Sequence, residues 1–212
     1  MPLFQIRNEI QNAEKTILFT HIPKTGGVTI EKALKGLGLK PFLAPECYAF
    51  VSKYLNIPPA HFHYEIIEKI YNLNNLYCFT ITRNPVDRII SHYQWARTYS
   101  NLDQKIKNLN LKNYLEFSFN EYYKDNNFFS NHIRPQTDFV GKKTNKIFKY
   151  EDGLEKNLTK MLADNNIKIN GNINLPMLNK SKGKKPFIDE ESKNLIKNFY
   201  KKDFIKFNYK IK

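Results

Sequence analysis

The chain has 212 residues, 41% of them hydrophobic and 25% charged, which suits one globular domain with a sizeable core. Its formal charge of +14 favours an anionic partner, but Lys, Asn, Ile, Tyr and Phe are abundant together, as AT-rich coding also produces, so charge alone assigns no function. No apolar run approaches the roughly 20 residues of a membrane span, and the mixed charges of Met1 to Thr16 leave no signal-peptide core, so the expected location is the cytoplasm.

Residues 1–15 read as a polar lead-in and 16–22 as the first strand. Lys24-Thr25-Gly26-Gly27 follows. Ile30, Ala33, Leu34 and Leu37 then recur at i, i+3, i+4 and i+7, one face of a helix over 27–37 that Gly38 stops. A strand, a glycine turn and a helix N-terminus together form an anion site. Free N–H groups converge there, the helix dipole adds positive charge, and Gly26 and Gly27 admit close approach. Lys24 adds a full charge. The order is wrong for a Walker A loop, in which the Lys follows the second Gly and a Ser or Thr follows the Lys to hold Mg²⁺.

Pro41, Pro45, Pro58 and Pro59 break the pattern from 40 to 59 into loops around a short helix near 47–55. Ala60-His61-Phe62-His63-Tyr64 reads as a short strand leading into a helix at 65–72, with His61 and His63 on one face. A metal site there lacks an evident third ligand. An imidazole near its ordinary pKa suits a general base for a hydroxyl. His21, His92 and His132 read as structural. Leu76 to Thr82 is an almost continuous apolar run, a strand buried on both faces. Cys78 within it reads as a small buried hydrophobe, and two isolated cysteines, Cys47 and Cys78, make neither a disulfide framework nor a metal cluster.

Arg83-Asn84-Pro85 ends that strand and opens a helix to about Tyr99. Arg83 offers a planar fork to a phosphate at the strand end, Ser91 adds a hydroxyl two turns on, and Arg88 shares the Ser91 face. Lys24 and Arg83 both follow strand carboxyl ends, where parallel α/β sheets bind ligands. Residues 102–131 read as helical with irregular joins, and Asn145 to Tyr150 as a strand. Glu151 and Asp152 open a helix with Leu154, Leu158, Met161 and Leu162 inward. A loop over 164–187 ends in the basic run Asn179 to Pro186, and Asp189 caps a last helix carrying Leu195, Ile196, Phe199 and Tyr200. The alternation predicts a single α/β domain over 1–212 with a parallel sheet.

Taken together, these residues resemble the PAPS-dependent sulfotransferases, in particular the group of heparan sulfate 2-O-sulfotransferases and bacterial-type relatives (sulfotransferase family 2). His21-Ile22-Pro23-Lys24-Thr25-Gly26-Gly27 is similar to that family's loop for the 5′-phosphosulfate of 3′-phosphoadenosine 5′-phosphosulfate (PAPS). Phe79 to Tyr93 is similar to its 3′-phosphate segment, whose Arg and Ser fall on Arg83 and Ser91. His61-Phe62-His63 resembles the family's His-x-His, whose second histidine is the base. Arg134-Pro135-Gln136-Thr137 resembles a segment near the acceptor, and Asn179-Lys180-Ser181-Lys182 a basic loop over the nucleotide. Lys149-Tyr150-Glu151-Asp152 and the closing Phe199 to Tyr209 resemble the usual ends of such chains.

The resemblance implies a three-layer, nucleotide-kinase-like P-loop fold with a parallel sheet of four to five strands. It implies a sulfuryl group moved from PAPS to an acceptor hydroxyl, expected on a carbohydrate, with PAP as product and no metal. His63 would take the proton, and Lys24 would neutralise the leaving phosphate beside the N–H groups of Thr25, Gly26, Gly27, Val28 and Thr29. Arg83, Ser91, Lys180, Ser181 and Lys182 would bind the rest of the donor, and His61, Arg134 and Gln136 the acceptor. Val28 stands where the family has Thr or Ser, and Phe62 where a small residue is common. The alternatives are a P-loop-type kinase using ATP and Mg²⁺, a non-catalytic binder of PAP or sulfated glycan, and a nucleic-acid binder. The last lacks any reading motif among its scattered lysines.

Overall fold

The computed structural model describes residues 3–8, 13–42, 54, 56–99, 103–167, 173, 175 and 185–211. Five strands, β1 (Leu3–Asn8), β2 (Ala13–Thr20), β3 (Lys40–Phe42), β4 (Leu76–Thr82) and β5 (Thr144–Lys149), form one sheet in the order β3-β1-β2-β4-β5. Helices α1 (Gly27–Gly36), α2 (Tyr64–Ile70), α3 (Pro85–Thr98), α4 (Gln104–Lys107), α5 (Leu111–Lys124), α6 (Leu154–Asp164), α7 (Glu190–Phe199) and α8 (Lys201–Lys206) connect and cover it. Among the described residues, no helix is long and apolar enough to cross a membrane.

The parallel part of the sheet is three strands, not the four to five expected. β4 pairs parallel with β2, Thr16 opposite Leu76 through Thr20 opposite Thr80, and with β5 on its other side. β1 pairs antiparallel with both β2 and β3. The reason is the connection: residues 9–12 join β1 to β2, and so short a link permits only antiparallel pairing, because parallel neighbours need a crossover of about a dozen residues or more. Within the segment expected to be a polar lead-in, residues 3–8 are thus a strand, and β2 already begins at Ala13.

The central strands are apolar on both faces, and period-two alternation divides their side chains. Ile17, Phe19, Phe79 and Ile81 pack against Ile30, Ala33 and Leu34 of α1 and Leu158, Met161 and Leu162 of α6. Leu18 and Cys78 face the opposite layer, with Ile57, Phe62, Ile67 and Leu73. A third cluster joins α3, α5 and α7 through Ile89, Tyr93, Tyr114, Leu115, Phe119 and Ile196. Burial pushes the Cys78 thiol up to about 11; Cys47 and the helix expected near 47–55 fall almost wholly outside the described residues.

Helix starts follow local chemistry. Pro85 occupies the first turn of α3, and Asn84 Oδ1 accepts from Val86 N–H at 3.0 Å. Asp189 Oδ1 accepts from Ser192 N–H at 2.7 Å and caps α7. The segment around the His61–His63 pair differs from expectation. Pro59–His61 is a 3₁₀ turn and His63 caps α2, so the same-face argument for a strand does not hold there. Pro59 is the cause: its fixed φ suits the first position of a helical turn.

Candidate active site

Strand β2 delivers the chain into a tight loop that opens α1. Gly26, at φ 86°, caps the helix, and a Cβ there would stand 2.7 Å from Leu154 Cδ1. Gly27 lies flat against the His21 ring, and a Cβ would collide with it. At the start of α1 the N–H groups of Gly27 and Val28 have no carbonyl one turn back in their own helix and suit an anion, whereas Thr29 N–H donates to the Gly26 carbonyl at 3.0 Å. Thr25 turns its hydroxyl inward, donating to the Ile22 carbonyl at 2.8 Å, while Thr29 is buried and Val28 is 40% exposed at the helix start.

Lys24 sits at φ 69°, in the left-handed region that non-glycine residues avoid. Its Nζ lies 5.4 Å from the centre of the Trp95 ring. Burial, and then the nearby Arg83 guanidinium, pushes its pKa down to about 8. Both causes penalise positive charge, and an anion would relieve both.

Arg83 leaves the end of β4 and donates from Nη1 to the Lys24 carbonyl at 3.1 Å, its guanidinium 4.5 Å from the centre of the Tyr150 ring. Its Nε is buried with no acceptor among the described residues. An orphaned guanidinium N–H beside a depressed lysine suits an anionic ligand. The backbone here is locked from two sides. Gln136 bonds both the N–H and the carbonyl of Arg83, each at 2.8 Å, and Glu151 accepts from Asn84 N–H at 2.7 Å. Gln136 is anchored in turn: its N–H and that of Thr137 donate to the buried Asp203 carboxylate at 2.8 and 2.9 Å.

Sequence reasoning placed Gln136 and Arg134 against an acceptor, but the structure gives their polar groups other partners. Arg134, 7% exposed, donates to Asn131 Oδ1, Asp138 Oδ2, the Asn126 carbonyl and Asn127 Oδ1. In the sequence Arg88 stands out only as a neighbour of Ser91. It is 1% exposed and donates to the carbonyls of Pro23 and His132 at 3.0 and 2.8 Å, tying α3 to the cradle loop. Ser91 is buried on the same helix. Lys180, Ser181 and Lys182 lie outside the described residues; just past them, Lys185 pairs with Asp87 of α3 at 2.8 Å.

The histidines form a connected group that no single stretch of sequence announces. His21 stacks on Phe19, meets the His61 ring edge-on at 5.7 Å, and its Nδ1 bonds Glu31 Oε1 at 2.8 Å. His61 meets His132 at 4.6 Å, and His132 stacks on Trp95 at 4.8 Å, the ring under Lys24. His92 is fully buried, with Nδ1 on the Tyr114 hydroxyl at 2.7 Å, as its structural reading predicts. Burial, then His21, pushes His61 down to about 3, and Lys24 adds to that shift. Burial, then Arg134, pushes His63 down to about 4. Both are therefore neutral at pH 7.

The arrangement joins an anion cradle, two cations at neighbouring strand ends and neutral imidazoles, which is the equipment of group transfer from an anionic donor. Among the described residues, no three His, Cys, Asp or Glu side chains converge as a metal-binding group. No curated protein and no solved structure matches the chain significantly. The profile of the Sulfotransferase family matches residues 8–210, almost the whole chain, and the protein belongs to that family.

Proposed function

We propose that this sulfotransferase moves a sulfuryl group from PAPS to a carbohydrate hydroxyl, releasing PAP. The observation that carries the reading is the pairing of Lys24 with Arg83. Two cations on neighbouring strand ends stand beside the N–H groups that open α1, and one of them keeps a buried N–H with no acceptor among the described residues. PAPS has two separate anionic ends to offer, a phosphosulfate and a 3′-phosphate. In this reading Lys24 and the N–H groups of residues 25–28 hold the phosphosulfate, Thr29 N–H being engaged by the Gly26 carbonyl, and Arg83 and Ser91 the 3′-phosphate. Lys180, Ser181 and Lys182 add contacts to the nucleotide. Arg134 and Gln136 act as positioning residues rather than acceptor contacts, because their donors are already engaged.

His63 takes the hydroxyl proton as the oxygen attacks sulfur in line, with His61 beside the acceptor. Lys24 meets the charge that develops on the leaving phosphate oxygen, the kind of preorganised stabilisation that usually contributes most to catalysis. The Lys-Thr-Gly-Gly loop and the His-x-His pair favour the heparan sulfate 2-O-type, bacterial-type group, with the cytoplasm as the expected location.

Thermal-shift titration with PAP and with ATP–Mg²⁺ tests the donor. Stabilisation by ATP–Mg²⁺ and not by PAP overturns it. A labelled-sulfate screen over polysaccharides, lipid-linked glycans and phenols tests the acceptor, and transfer to phenols alone overturns the carbohydrate assignment.

A further inference from the structure

The segment after α8 reaches back across the molecule to the end of β4. Asn208 sits at φ 50°, the left-handed position that closes many helices and that asparagine tolerates. Its N–H donates to the Ile205 carbonyl at 3.3 Å, and the Tyr209 N–H donates to the Phe204 carbonyl at 3.0 Å. That pair of bonds ends a helix and fixes the direction in which the chain leaves it. Here it sends the Tyr209 side chain to the residues on either side of Arg83.

The Tyr209 hydroxyl donates to Glu151 Oε2 at 3.0 Å, because a carboxylate oxygen only accepts, and it lies 3.1 Å from Thr82 Oγ1. The other oxygen of that carboxylate accepts from Asn84 N–H at 2.7 Å. Asn84 Nδ2 donates to the Lys210 carbonyl at 2.9 Å, while its Oδ1 caps α3. Thr82 ends β4 and Asn84 opens α3, so both chain neighbours of Arg83 are held by residues 209–210. Lys149 Nζ stands 4.7 Å from the centre of the Tyr209 ring and fixes it against the end of β5.

The same helix carries a second support. Asp203 of α8 accepts from the N–H groups of Gln136 and Thr137, and Gln136 bonds the N–H and carbonyl of Arg83 itself. Asp203 thus acts on Arg83 through Gln136, and Tyr209 acts on its neighbours through Glu151. Glu151 follows Tyr150, whose ring centre lies 4.5 Å from the Arg83 guanidinium. That guanidinium bonds the Lys24 carbonyl and leaves its Nε without an acceptor among the described residues, so its aim depends on the backbone it leaves from.

We propose that Tyr209 is a positioning residue for the donor's 3′-phosphate: with Glu151 and Asn84 it fixes the backbone on both sides of Arg83, and so the aim of the guanidinium. Its role rests on the reading in which Arg83 binds that phosphate. The Tyr209 hydroxyl and the Asn84 N–H also occupy both oxygens of the Glu151 carboxylate. An oxygen left free there, one residue from the ring against Arg83, would compete with the phosphate for the guanidinium.

Calorimetry on the full chain with PAP and with AMP, which differ in the 3′-phosphate alone, tests this role. The wild type is expected to prefer PAP, and Arg83→Ala to lose that preference. Tyr209→Phe removes one hydroxyl and keeps the ring. It is expected to weaken PAP binding by about fivefold or more and AMP binding by less than about twofold, with the KM for PAPS rising and kcat little changed. Equal weakening of both ligands, or no change in either, overturns the proposal. Both are titrated into one sample, so unfolded protein lowers the stoichiometry of each and leaves the affinity ratio unchanged. In Glu151→Ala, adding Tyr209→Phe should weaken PAP by less than about twofold more, because the hydroxyl has lost the group it acts through; fully additive losses also overturn the proposal. A wild type without the preference for PAP, or an Arg83→Ala variant that keeps it, overturns the 3′-phosphate reading and this role with it. Loss of the preference in Arg83→Ala but not in Tyr209→Phe overturns this role alone.

Discussion

The carboxamide of Gln136 closes a ring of two hydrogen bonds on the backbone of Arg83, accepting from its N–H and donating to its carbonyl, each at 2.8 Å. Gln136 is wholly buried and its own N–H is held by Asp203. A residue three elements away thereby fixes where the Arg83 guanidinium starts. Gln136→Ala leaves two backbone groups without partners, at about 1–3 kcal/mol for each buried group. The expected result in urea melts is a stability loss of roughly 2–4 kcal/mol. Calorimetry should give about tenfold weaker PAP binding. Unchanged PAP affinity in a folded Gln136→Ala would disconnect this clamp from the donor site.

Lys24 supplies a pH limb. Its pKa is depressed to about 8, so its charge is lost as the pH rises through that value. The kcat/KM for PAPS should fall above about pH 8, and Lys24→Arg, which stays charged, should lack that limb. Removing the charge acts oppositely on the free protein, because burial disfavours it there. Lys24→Met is expected to lower turnover by about a hundredfold. It should also raise the melting temperature by roughly 2–4 °C, the equivalent of about 1 kcal/mol in a chain of this size.

Glu31 makes the protein's acid response measurable. Burial raises its pKa, but the hydrogen bond from His21 and that residue's charge outweigh burial, and the net direction is down. A carboxylate depressed in the folded state contributes stability above its unfolded pKa and loses it as the pH falls through the folded value. Glu31→Gln should cost about 1 kcal/mol near pH 7. Denaturation at a series of pH values should show that difference shrinking once the pH drops below about 4.5. A difference that does not change with pH would remove Glu31's charge from the account.

Gly27 tests the packing of the cradle. Its Cα lies against the His21 ring, so Gly27→Ala must displace the ring and with it the bond to Glu31 and the contact to His61. A stability loss of about 1–3 kcal/mol is expected from the forced movement, with turnover falling further than PAP affinity. Gly36 has open space around it, and Gly36→Ala serves as the control, with no comparable loss.

What was legible in the sequence was what neighbours in sequence decide. The Lys24-Thr25-Gly26-Gly27 turn, the helix beyond it, and Arg83 before Pro85 follow from local patterns of glycine, proline and apolar spacing. Gln136 and Arg134 stand out in the sequence only through a resemblance that sets them near the acceptor, and their hydrogen-bond partners lie at Arg83, Asp203 and Asn131, which only the folded chain brings near. Arg88 hid in plain view: an arginine amid Ile89, Ile90 and Tyr93 on a buried helix face must have an interior acceptor. The strand expected around His61 and His63 gives way to a 3₁₀ turn because Pro58-Pro59 starts a turn rather than merely breaking the chain. Phe4 and Ile6 alternating with Gln5 and Arg7 was the overlooked sign of β1.

The hairpin that this sign announces bears on how the molecule assembles. β1 and β2 are joined through residues 9–12, whereas β4, the parallel partner of β2, begins at Leu76. Hairpins close in about 1–10 μs, while pairing across a long intervening segment first requires closing a costly loop. The strand that ends in the anion cradle therefore receives its register from a near neighbour before its distant one arrives. Substitutions along β1 should slow refolding, and those at the β4–β5 pairing should chiefly quicken unfolding.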